Sequence, residues 1–234
     1  MNKEEFIKEL EKLNISLTQN QLEKLEEYYN LLIEKNKVIN LTSITNKEDV
    51  YLKHFYDSLT ISKIIDLNKN LSLADLGTGA GFPGIVLKIV FPNLNITLVD
   101  SLNKRINFLN EVIKTLDLKD IHTQNKRIED FSKENIEKYD ILVTRAVAKT
   151  NVILELGSQA LKTKGNFILM KGDIKEELKN SEKAIKTLGY AIKDNLIFNL
   201  PKENSIRTLL NLQKIQKTNK IYPRDFAKIK KNPL

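Results

Sequence analysis

Residues 71–84, Leu-Ser-Leu-Ala-Asp-Leu-Gly-Thr-Gly-Ala-Gly-Phe-Pro-Gly, carry the strongest fold signal in this 234-residue chain. The stretch begins with apolar residues at the spacing of a short buried strand and then breaks into four glycines and one proline. Residues 85–91 follow as an almost entirely apolar run that stops at Pro92. This order predicts a strand, a glycine turn and a buried helix. A helix N-terminus directly after a glycine loop presents free N–H groups to a ligand.

The loop spacing narrows the choice of ligand. It reads G-x-G-x-G from Gly77, whereas the dinucleotide fingerprint requires G-x-G-x-x-G, and Phe82 occupies the position of its third glycine. The β-like run 95–100 ends in Asp100, close to the offset at which a carboxylate meets ribose hydroxyls in such folds. These residues fit a pyrophosphate or the amino-acid end of S-adenosylmethionine. They also fit a tight turn and a helix-capping aspartate without any ligand.

Composition excludes several classes of site. The chain has no cysteine, so disulfides, thiolate nucleophiles and cysteine metal ligands are absent. With His54 and His122 as the only histidines, we expect no metal site. The first residues do not resemble a signal peptide, and no apolar run approaches the ~18 residues that span a membrane. We therefore expect a cytoplasmic protein.

Charge is distributed unevenly along the chain. The formal net charge is +8, but residues 1–36 contain five Lys against eight Glu, and residues 211–234 contain six Lys and one Arg against one Asp. A basic end is typical of proteins that bind a polyanion such as RNA. The alternative is a lysine-rich surface that is merely solvated, because 33 of the 38 basic residues are lysine.

The region before the glycine loop is predicted to be helical. Residues 18–21, Thr-Gln-Asn-Gln, form a capping-box pattern, and an apolar stripe that includes Tyr29 follows. His54, Asp57 and Ser58 contain the residue types of a catalytic triad. Such close neighbours on one helix rarely reach triad geometry, so we expect them to organise structure or hold substrate.

From residue 71 the chain alternates between strand and helix patterns. The predicted strands are 71–76, 95–100, 120–124, 139–144, 165–170, 190–198 and 206–213. The predicted helices between them are 84–91, 103–116, 128–136, 150–161 and 174–188. Five alternations predict a mainly parallel, doubly wound sheet. The last two strands are joined only by residues 201–205, so we expect them to pair antiparallel, as in a methyltransferase-type sheet.

Several motifs occur together in an order typical of one family. They are Asn40-Leu-Thr42, His54-x-x-Asp57-Ser-Leu, residues 75–84, Leu98-Val-Asp-Ser-Leu-x-Lys-Arg105, Thr144-Arg-Ala-Val-Ala148, Lys171-Gly172 and Tyr222-Pro-Arg224. In this combination the chain resembles the RsmG family, also called GidB, over nearly its whole length. That family methylates N7 of a guanosine in bacterial 16S rRNA. The tail departs from the family pattern, because the Gly and Pro usually found after Arg224 are missing.

The resemblance implies an α/β fold of the class I S-adenosylmethionine-dependent, Rossmann-like type, mainly parallel with an antiparallel C-terminal strand. It implies a helical extension over 1–66, a methyltransferase core over 67–216 and a basic tail over 217–234, together forming one structural domain. The implied cofactor is S-adenosylmethionine, and the implied partner is 16S rRNA in the small ribosomal subunit or an assembly intermediate. We expect a monomer that needs neither a metal nor a membrane.

Site residues follow from the same resemblance. The implied cofactor-binding residues are Gly77, Gly79, Phe82, Asp100, Ser101, Ile128, Glu129 and Arg145, and the candidates for RNA contact are His54, Lys171 and Arg224. Without the resemblance, Ile128 and Glu129 would be interpreted as core and helix-start residues. Arg145 stands out independently, because it follows an apolar strand at the end where ligands bind in such sheets. For Lys171 and Arg224 a solvated lysine or a salt bridge is an equal alternative.

The chemistry implied by the family agrees with the residues present. Methylation of pyrimidine C5 through a covalent adduct needs a cysteine, and the chain has none. Methylation of an exocyclic amine commonly uses an Asn/Asp-Pro-Pro-aromatic turn, whereas residues 144–147 read Thr-Arg-Ala-Val. Guanine N7 carries a free lone pair, so we expect in-line transfer without a general base, with Arg145 as the candidate catalytic residue. The base is expected to be splayed out, stacked on Phe82 or Arg145.

Two other classes of function fit parts of the pattern. A nicotinamide-dependent oxidoreductase would use a similar loop, although Phe82 disfavours it. A non-catalytic RNA-binding protein could keep the fold, although the intact loop and Asp100 disfavour that. A methyltransferase with a different acceptor is the nearer alternative and differs only in its substrate.

Overall fold

A single seven-stranded sheet organises the chain in a computed structural model that describes residues 1–203 and 205–234. Its strands are β1 (Ser72–Leu76), β2 (Asn95–Asp100), β3 (Ile121–Asn125), β4 (Tyr139–Arg145), β5 (Leu161–Lys171), β6 (Tyr190–Asn199) and β7 (Ile206–Lys214). The strand order is β3-β2-β1-β4-β5-β7-β6.

Pairing within the sheet confirms the predicted fold class. The neighbours from β3 to β5 pair in parallel, whereas β7 lies between β5 and β6 and is antiparallel to both. The short connection over 201–205 permits the β6–β7 hairpin, and its residue 204 lies outside the described residues. Since β1 is flanked by β2 and β4, the carboxyl ends of these three strands meet at one edge.

Helices cover both faces of the sheet. They are α1 (Lys3–Glu11), α2 (Gln19–Ile39), α3 (Lys47–Val50), α4 (Asp57–Leu59), α5 (Gly84–Val90), α6 (Asn103–Thr115), α7 (Ile128–Glu134), α8 (Thr150–Leu156), α9 (Lys175–Lys179), α10 (Glu182–Thr187) and α11 (Phe226–Lys231). A π-helical segment, Tyr51–Tyr56, joins α3 to α4, and a 3₁₀ turn, Thr60–Lys63, follows α4.

Two predicted helices differ from the structure. The helix predicted over 150–161 ends at Leu156, because Gly157 follows it and β5 already begins at Leu161. The helix predicted over 174–188 is divided into α9 and α10. Ser181 lies at the break, where its hydroxyl donates a hydrogen bond to the Glu177 carbonyl oxygen at 2.7 Å. Serine side chains compete in this way with regular helical bonding.

The N-terminal helices pack against the face that carries α5 and α6. The Thr18 hydroxyl accepts a hydrogen bond from the Gln21 N–H, and the Gln21 side chain accepts one from the Thr18 N–H, so the predicted capping box is confirmed. Tyr29 of the predicted apolar stripe is partly buried against the core, and the neighbouring Tyr28, which the stripe did not include, is completely buried. The domain boundaries at residues 66 and 216 stay predictions. None of the helices in the described part of the chain is both long and apolar enough to cross a membrane.

Candidate active site

The glycine loop leaves β1 in a conformation that its sequence requires. Gly77 and Gly79 have φ values of +72° and +62°, in the region that favours glycine. The N–H groups of Gly77 and Thr78 both donate to the Val99 carbonyl oxygen, at 2.8 and 3.0 Å. This pairing ties the start of the loop to the neighbouring strand and holds its remaining backbone at the carboxyl edge of the sheet.

The buried carboxylate of Asp75 holds the glycine loop through hydrogen bonds. Asp75 accepts hydrogen bonds on Oδ2 from the Thr78 hydroxyl at 2.7 Å and from the Gly84 N–H at 2.9 Å. Burial raises the pKa of the Asp75 carboxyl to about 6, although both hydrogen bonds act in the opposite direction. The Tyr28 hydroxyl of α2 donates to the Ala80 carbonyl oxygen at 2.5 Å. The N-terminal helices therefore help to fix the loop.

Asp100 ends β2 beside the loop and is almost completely buried. Its Oδ2 accepts hydrogen bonds from the Gly79 N–H at 3.0 Å and from the Arg105 guanidinium at 3.1 Å, and its Oδ1 accepts one from the Leu102 N–H at 2.9 Å. Arg105 belongs to the motif quoted from the sequence but had been assigned no role, although its place in the first turn of α6 would bring it near a carboxylate at the end of β2. These three donors fix the orientation of the Asp100 carboxylate at the strand end.

A cavity of about 570 Å³ opens at this edge of the sheet. It brings together all eight residues predicted to bind the cofactor and one candidate for RNA contact: Gly77, Gly79, Phe82, Asp100, Ser101, Ile128, Glu129, Arg145 and His54. The cavity also contains three residues to which the sequence had assigned no role: Thr42 of the Asn40-Leu-Thr42 motif, Arg127, which directly precedes Ile128, and Phe226. Thr42 and Phe226 reach the cavity through tertiary packing and not through a local pattern.

Strand order separates the two ends of the cavity. Ile128 and Glu129 follow β3, whereas Arg145 ends β4, and β2 and β1 lie between these strands. Three strand spacings correspond to about 14 Å, so the cavity suits an elongated ligand that lies across the loop. We call the side next to β3 the Ile128 end and the side next to β4 the Arg145 end.

The Arg145 guanidinium is held by several partners. Its Nη1 donates to the Lys53 carbonyl oxygen at 2.9 Å and to Asp57 Oδ2 at 3.2 Å, and its Nη2 lies 3.1 Å from His54 Nδ1. The other Asp57 oxygen accepts a hydrogen bond from Arg207 of β7 at 3.2 Å. Asp57 thus joins the N-terminal helices to two strands of the sheet.

His54 is a buried, neutral imidazole. Burial, and then the adjacent charge of Arg145, lower its pKa to about 3. Because a guanidinium can only donate, Nδ1 must be the acceptor, and the proton lies on Nε2, which donates to the Thr42 hydroxyl at 2.9 Å. The ring also stacks on Phe82 with a centroid distance of 4.3 Å. Both ring nitrogens are occupied, so His54 is poorly placed to act as a base.

The other residues singled out in the sequence lie elsewhere. Ser58 donates to the His54 carbonyl oxygen at 2.6 Å, so it is not arranged with His54 and Asp57 as a triad. Lys171 lies outside the cavity, paired with Glu177 at 2.8 Å, and Arg224 is paired with buried Glu155 at 2.7 Å. In the described ranges, no group of three or more acidic, histidine or cysteine side chains is arranged to hold a metal ion.

Comparison with known proteins identifies the family. A family model described as rRNA small subunit methyltransferase G matches residues 21–207. The chain belongs to this family. The ribosomal RNA small subunit methyltransferase G of a Bacillus cereus strain is 46% identical over 237 residues, covering 100% of this chain and 99% of that protein. The protein of the same name from Bacillus thuringiensis (strain Al Hakam) matches with the same identity and coverage.

A solved structure supports the fold of this methyltransferase G family member. The crystal structure of M. jannaschii TYW2 in complex with AdoMet has a TM-score of 0.53 at 16% identity and covers 63% of this chain and 71% of that chain. Membership of this family confirms that the chain is a methyltransferase that uses S-adenosylmethionine. It removes the oxidoreductase and the non-catalytic alternatives.

The residues present fit this cofactor. Asp100 supplies a carboxylate acceptor for ribose hydroxyls, and Gly79, which has no side chain, lets a ligand approach the loop backbone at the same edge. The expectation of free N–H groups at the helix start was wrong, because the N–H groups of Gly77, Gly79 and Gly84 already donate within the protein. The assignment of individual residues to the cofactor stays a prediction.

Proposed function

We propose that the protein transfers the methyl group of S-adenosylmethionine to N7 of a guanosine in 16S rRNA of the small ribosomal subunit. The names of its full-length relatives support small-subunit rRNA as the acceptor. In this proposal the adenine lies at the Ile128 end, the ribose meets Asp100, and the amino-acid part lies over the glycine loop. The methyl group then faces the Arg145 end.

One observation carries the choice of N7. In the described part of the chain, the Arg145 end of the cavity contains a permanently charged guanidinium and a neutral histidine whose two nitrogens are both engaged. Such a wall offers neither a general base nor a nucleophile. Guanine N7 requires neither, because its lone pair can attack the sulfonium methyl directly. The reaction proceeds in line and without a covalent enzyme intermediate.

Positioning then accounts for catalysis. The Arg145 guanidinium is fixed by Asp57, Lys53 and His54, so its plane is preorganised beside the acceptor. Phe82 is 5% exposed and its ring packs against His54, so little of the ring is accessible to a base. A splayed guanine therefore stacks on Arg145 in preference to Phe82. Fixing N7 in line with the methyl–sulfur bond supplies most of the acceleration.

Ion pairs decide how we assign two of the candidates for RNA contact. Lys171 and Arg224 each have a carboxylate partner, so we assign them a structural part and place RNA on other basic side chains near the cavity mouth. His54 acts on the acceptor through Arg145 and Thr42. We also propose that the protein works as a cytoplasmic monomer.

Methyl transfer to small ribosomal subunits tests the proposal. Subunits from cells that lack this enzyme are incubated with labelled S-adenosylmethionine, and the digested RNA is identified by mass. We expect label in 7-methylguanosine, lost with Asp100→Ala and with Arg145→Ala. Lys119→Gln, on the exposed opposite edge of the sheet, serves as the matched control.

The outcomes separate the parts of the proposal. Label in another nucleoside would overturn N7 as the acceptor atom. Label in protein, or cofactor binding without label in RNA, would overturn rRNA as the substrate. Full activity of Arg145→Ala would overturn the role of that residue.

A further inference from the structure

The C-terminal segment, residues 221–234, forms the outer wall of the cavity at its Ile128 end. Phe226 begins α11, and its ring lines the cavity while remaining 38% exposed. The guanidinium carbon of Arg127 lies 5.7 Å from the centroid of this ring. Arg127 directly precedes Ile128 and Glu129, so the ring stands beside the two residues assigned to the adenine.

Buried contacts hold Phe226 in this place. The backbone N–H and Nε of Arg224 donate to Glu155 Oε1 at 3.0 and 2.7 Å, and its Nη2 donates to Oε2 at 2.7 Å. Glu155 lies on α8 and is completely buried, as is Ile229 on the inner side of α11. The Asn151 side chain, also on α8, donates to the Leu234 carbonyl oxygen at 3.1 Å. The segment is therefore fastened to α8 before and after Phe226.

The local sequence explains why a helix forms here. Residues 226–231, Phe-Ala-Lys-Ile-Lys-Lys, contain neither glycine nor proline, so nothing in them interrupts the short helix that presents Phe226 to the cavity.

From these contacts we infer that Phe226 is a cofactor-binding residue that packs against the adenine ring of S-adenosylmethionine. The inference rests on the proposed placement of the cofactor in this cavity. A purine beside Phe226 and Arg127 would be covered on its outer side by an aromatic ring and bounded by a cation. Stacking of a base on an aromatic side chain strengthens binding by about tenfold or more. Helix α11 then shields the adenine from water.

Ligand binding without RNA tests the inference. Calorimetry gives the Kd of S-adenosylhomocysteine and of 5′-methylthioadenosine, which keeps the adenine but lacks the amino-acid group. With Phe226→Ala we expect both Kd values to rise about tenfold, and with Phe226→Trp to stay near the wild-type values. Ile221→Ala is the matched control, because Ile221 is a 65% exposed apolar residue of the same segment.

A second variant tests the anchor. Glu155→Gln removes the charge that binds Arg224 without changing any residue that lines the cavity, so Phe226 should lose its fixed position and both ligands should bind more weakly in a protein that still melts cooperatively. Unchanged Kd values in Phe226→Ala would overturn the inference, even if methyl transfer to subunits fell, because the ring would then act on RNA. A loss confined to S-adenosylhomocysteine would overturn the adenine contact. An acceptor other than guanine N7 would leave these results unaffected.

Discussion

Single residues at the site were predictable where a strand ends and much less so elsewhere. Asp100 and Arg145 could be found from the sequence because each directly follows an apolar strand, and strand ends meet at one edge of a parallel sheet. Phe226 could not be found in this way. Phe226 contacts Arg127, which lies 99 residues earlier in the chain, because α11 packs on α8. No short sequence pattern predicts a contact between residues so far apart.

His54 should make stability depend on pH. Its folded pKa of about 3 lies below the ordinary value of 6.5, so the folded protein binds fewer protons than the unfolded chain between these values. Stability therefore falls as the pH drops through 6.5 and continues to fall towards 3. At pH 5 this corresponds to about 2 kcal/mol. Urea unfolding at pH 7.5 and pH 5 should show that His54→Gln loses about 2 kcal/mol less than the wild type.

The design of that comparison isolates His54. The raised pKa of Asp75 acts in the opposite direction, since its stabilisation is present below about pH 4 and is lost as the pH rises through about 6. Asp75 is present in both proteins, so its effect cancels in the difference. His122→Gln, the same substitution at an exposed histidine, is the matched control. Parallel curves for the wild type and His54→Gln would refute the prediction.

Two loop glycines should respond differently to alanine. A Cβ on Gly79 meets no protein atom within 4 Å, so Gly79→Ala should lose only about 1–2 kcal/mol for its positive φ. A Cβ on Gly77 would lie 2.6 Å from a Val147 methyl, so Gly77→Ala should melt at a lower temperature than Gly79→Ala. Because Gly79 lines the cavity and its added methyl meets no protein atom, we expect the methyl to take space from the cofactor and to weaken its binding about tenfold.

Thermal melting and calorimetry with S-adenosylhomocysteine measure these two quantities separately. Wild-type affinity in Gly79→Ala would show that the cofactor does not approach this part of the loop. Equal melting temperatures for the two variants would show that Val147 moves aside freely.

At the scale of elements, regular patterns were predicted better than irregular ones. The strands and the sheet pairing follow from apolar runs and connection lengths, which the sequence displays directly. The π-helical segment Tyr51–Tyr56 has no sequence signature, yet it brings the Lys53 carbonyl oxygen and His54 to Arg145. Its geometry depends on partners from the other end of the fold, in agreement with the occurrence of π-helical turns at functional sites.

Helix α2 should stabilise the glycine loop through one hydroxyl. Tyr28→Phe removes the buried hydrogen bond to the Ala80 carbonyl oxygen and leaves that acceptor unpaired, so we expect a loss of about 1–2 kcal/mol. The control is Tyr29→Phe, whose hydroxyl makes an exposed 3.3 Å bond to Thr45, and its effect should stay within about 0.5 kcal/mol. Urea unfolding measures both. Equal losses would show that the Tyr28 contact does not support the loop.

At the scale of the whole molecule, the fold brings only the last part of the basic tail, from α11 onward, to the functional edge, whereas Lys214 and Lys217 lie at the opposite edge beside the starts of β5 and β4. The sequence showed that residues 211–234 are basic but not where they lie. In the structure α11 begins at the cavity, and its exposed Lys228, Lys230 and Lys231 follow Phe226 closely. The ion pair between Arg224 and Glu155 fastens the chain to α8 just before α11, and so keeps these three lysines close to the cavity. These exposed lysines become candidates for contact with RNA phosphates beside the Ile128 end of the cavity, and Lys228 also lies 3.5 Å from Asp225 in an exposed ion pair.

Salt dependence distinguishes phosphate contact from simple solvation. Each lysine that neutralises an RNA phosphate adds close to one unit to the slope of log K against log salt concentration. Changing Lys228, Lys230 and Lys231 to Gln should therefore reduce this slope by about 2–3 for small ribosomal subunits and leave the Kd of S-adenosylhomocysteine unchanged. The matched control changes Lys69, Lys114 and Lys119, which are exposed at the opposite edge of the sheet. If both triple variants shift the slope equally, the effect is one of net charge, and the RNA surface lies elsewhere. If only the tail variant shifts it, the exposed lysines of α11 contact RNA phosphates, on the same short helix whose Phe226 is inferred to meet the adenine.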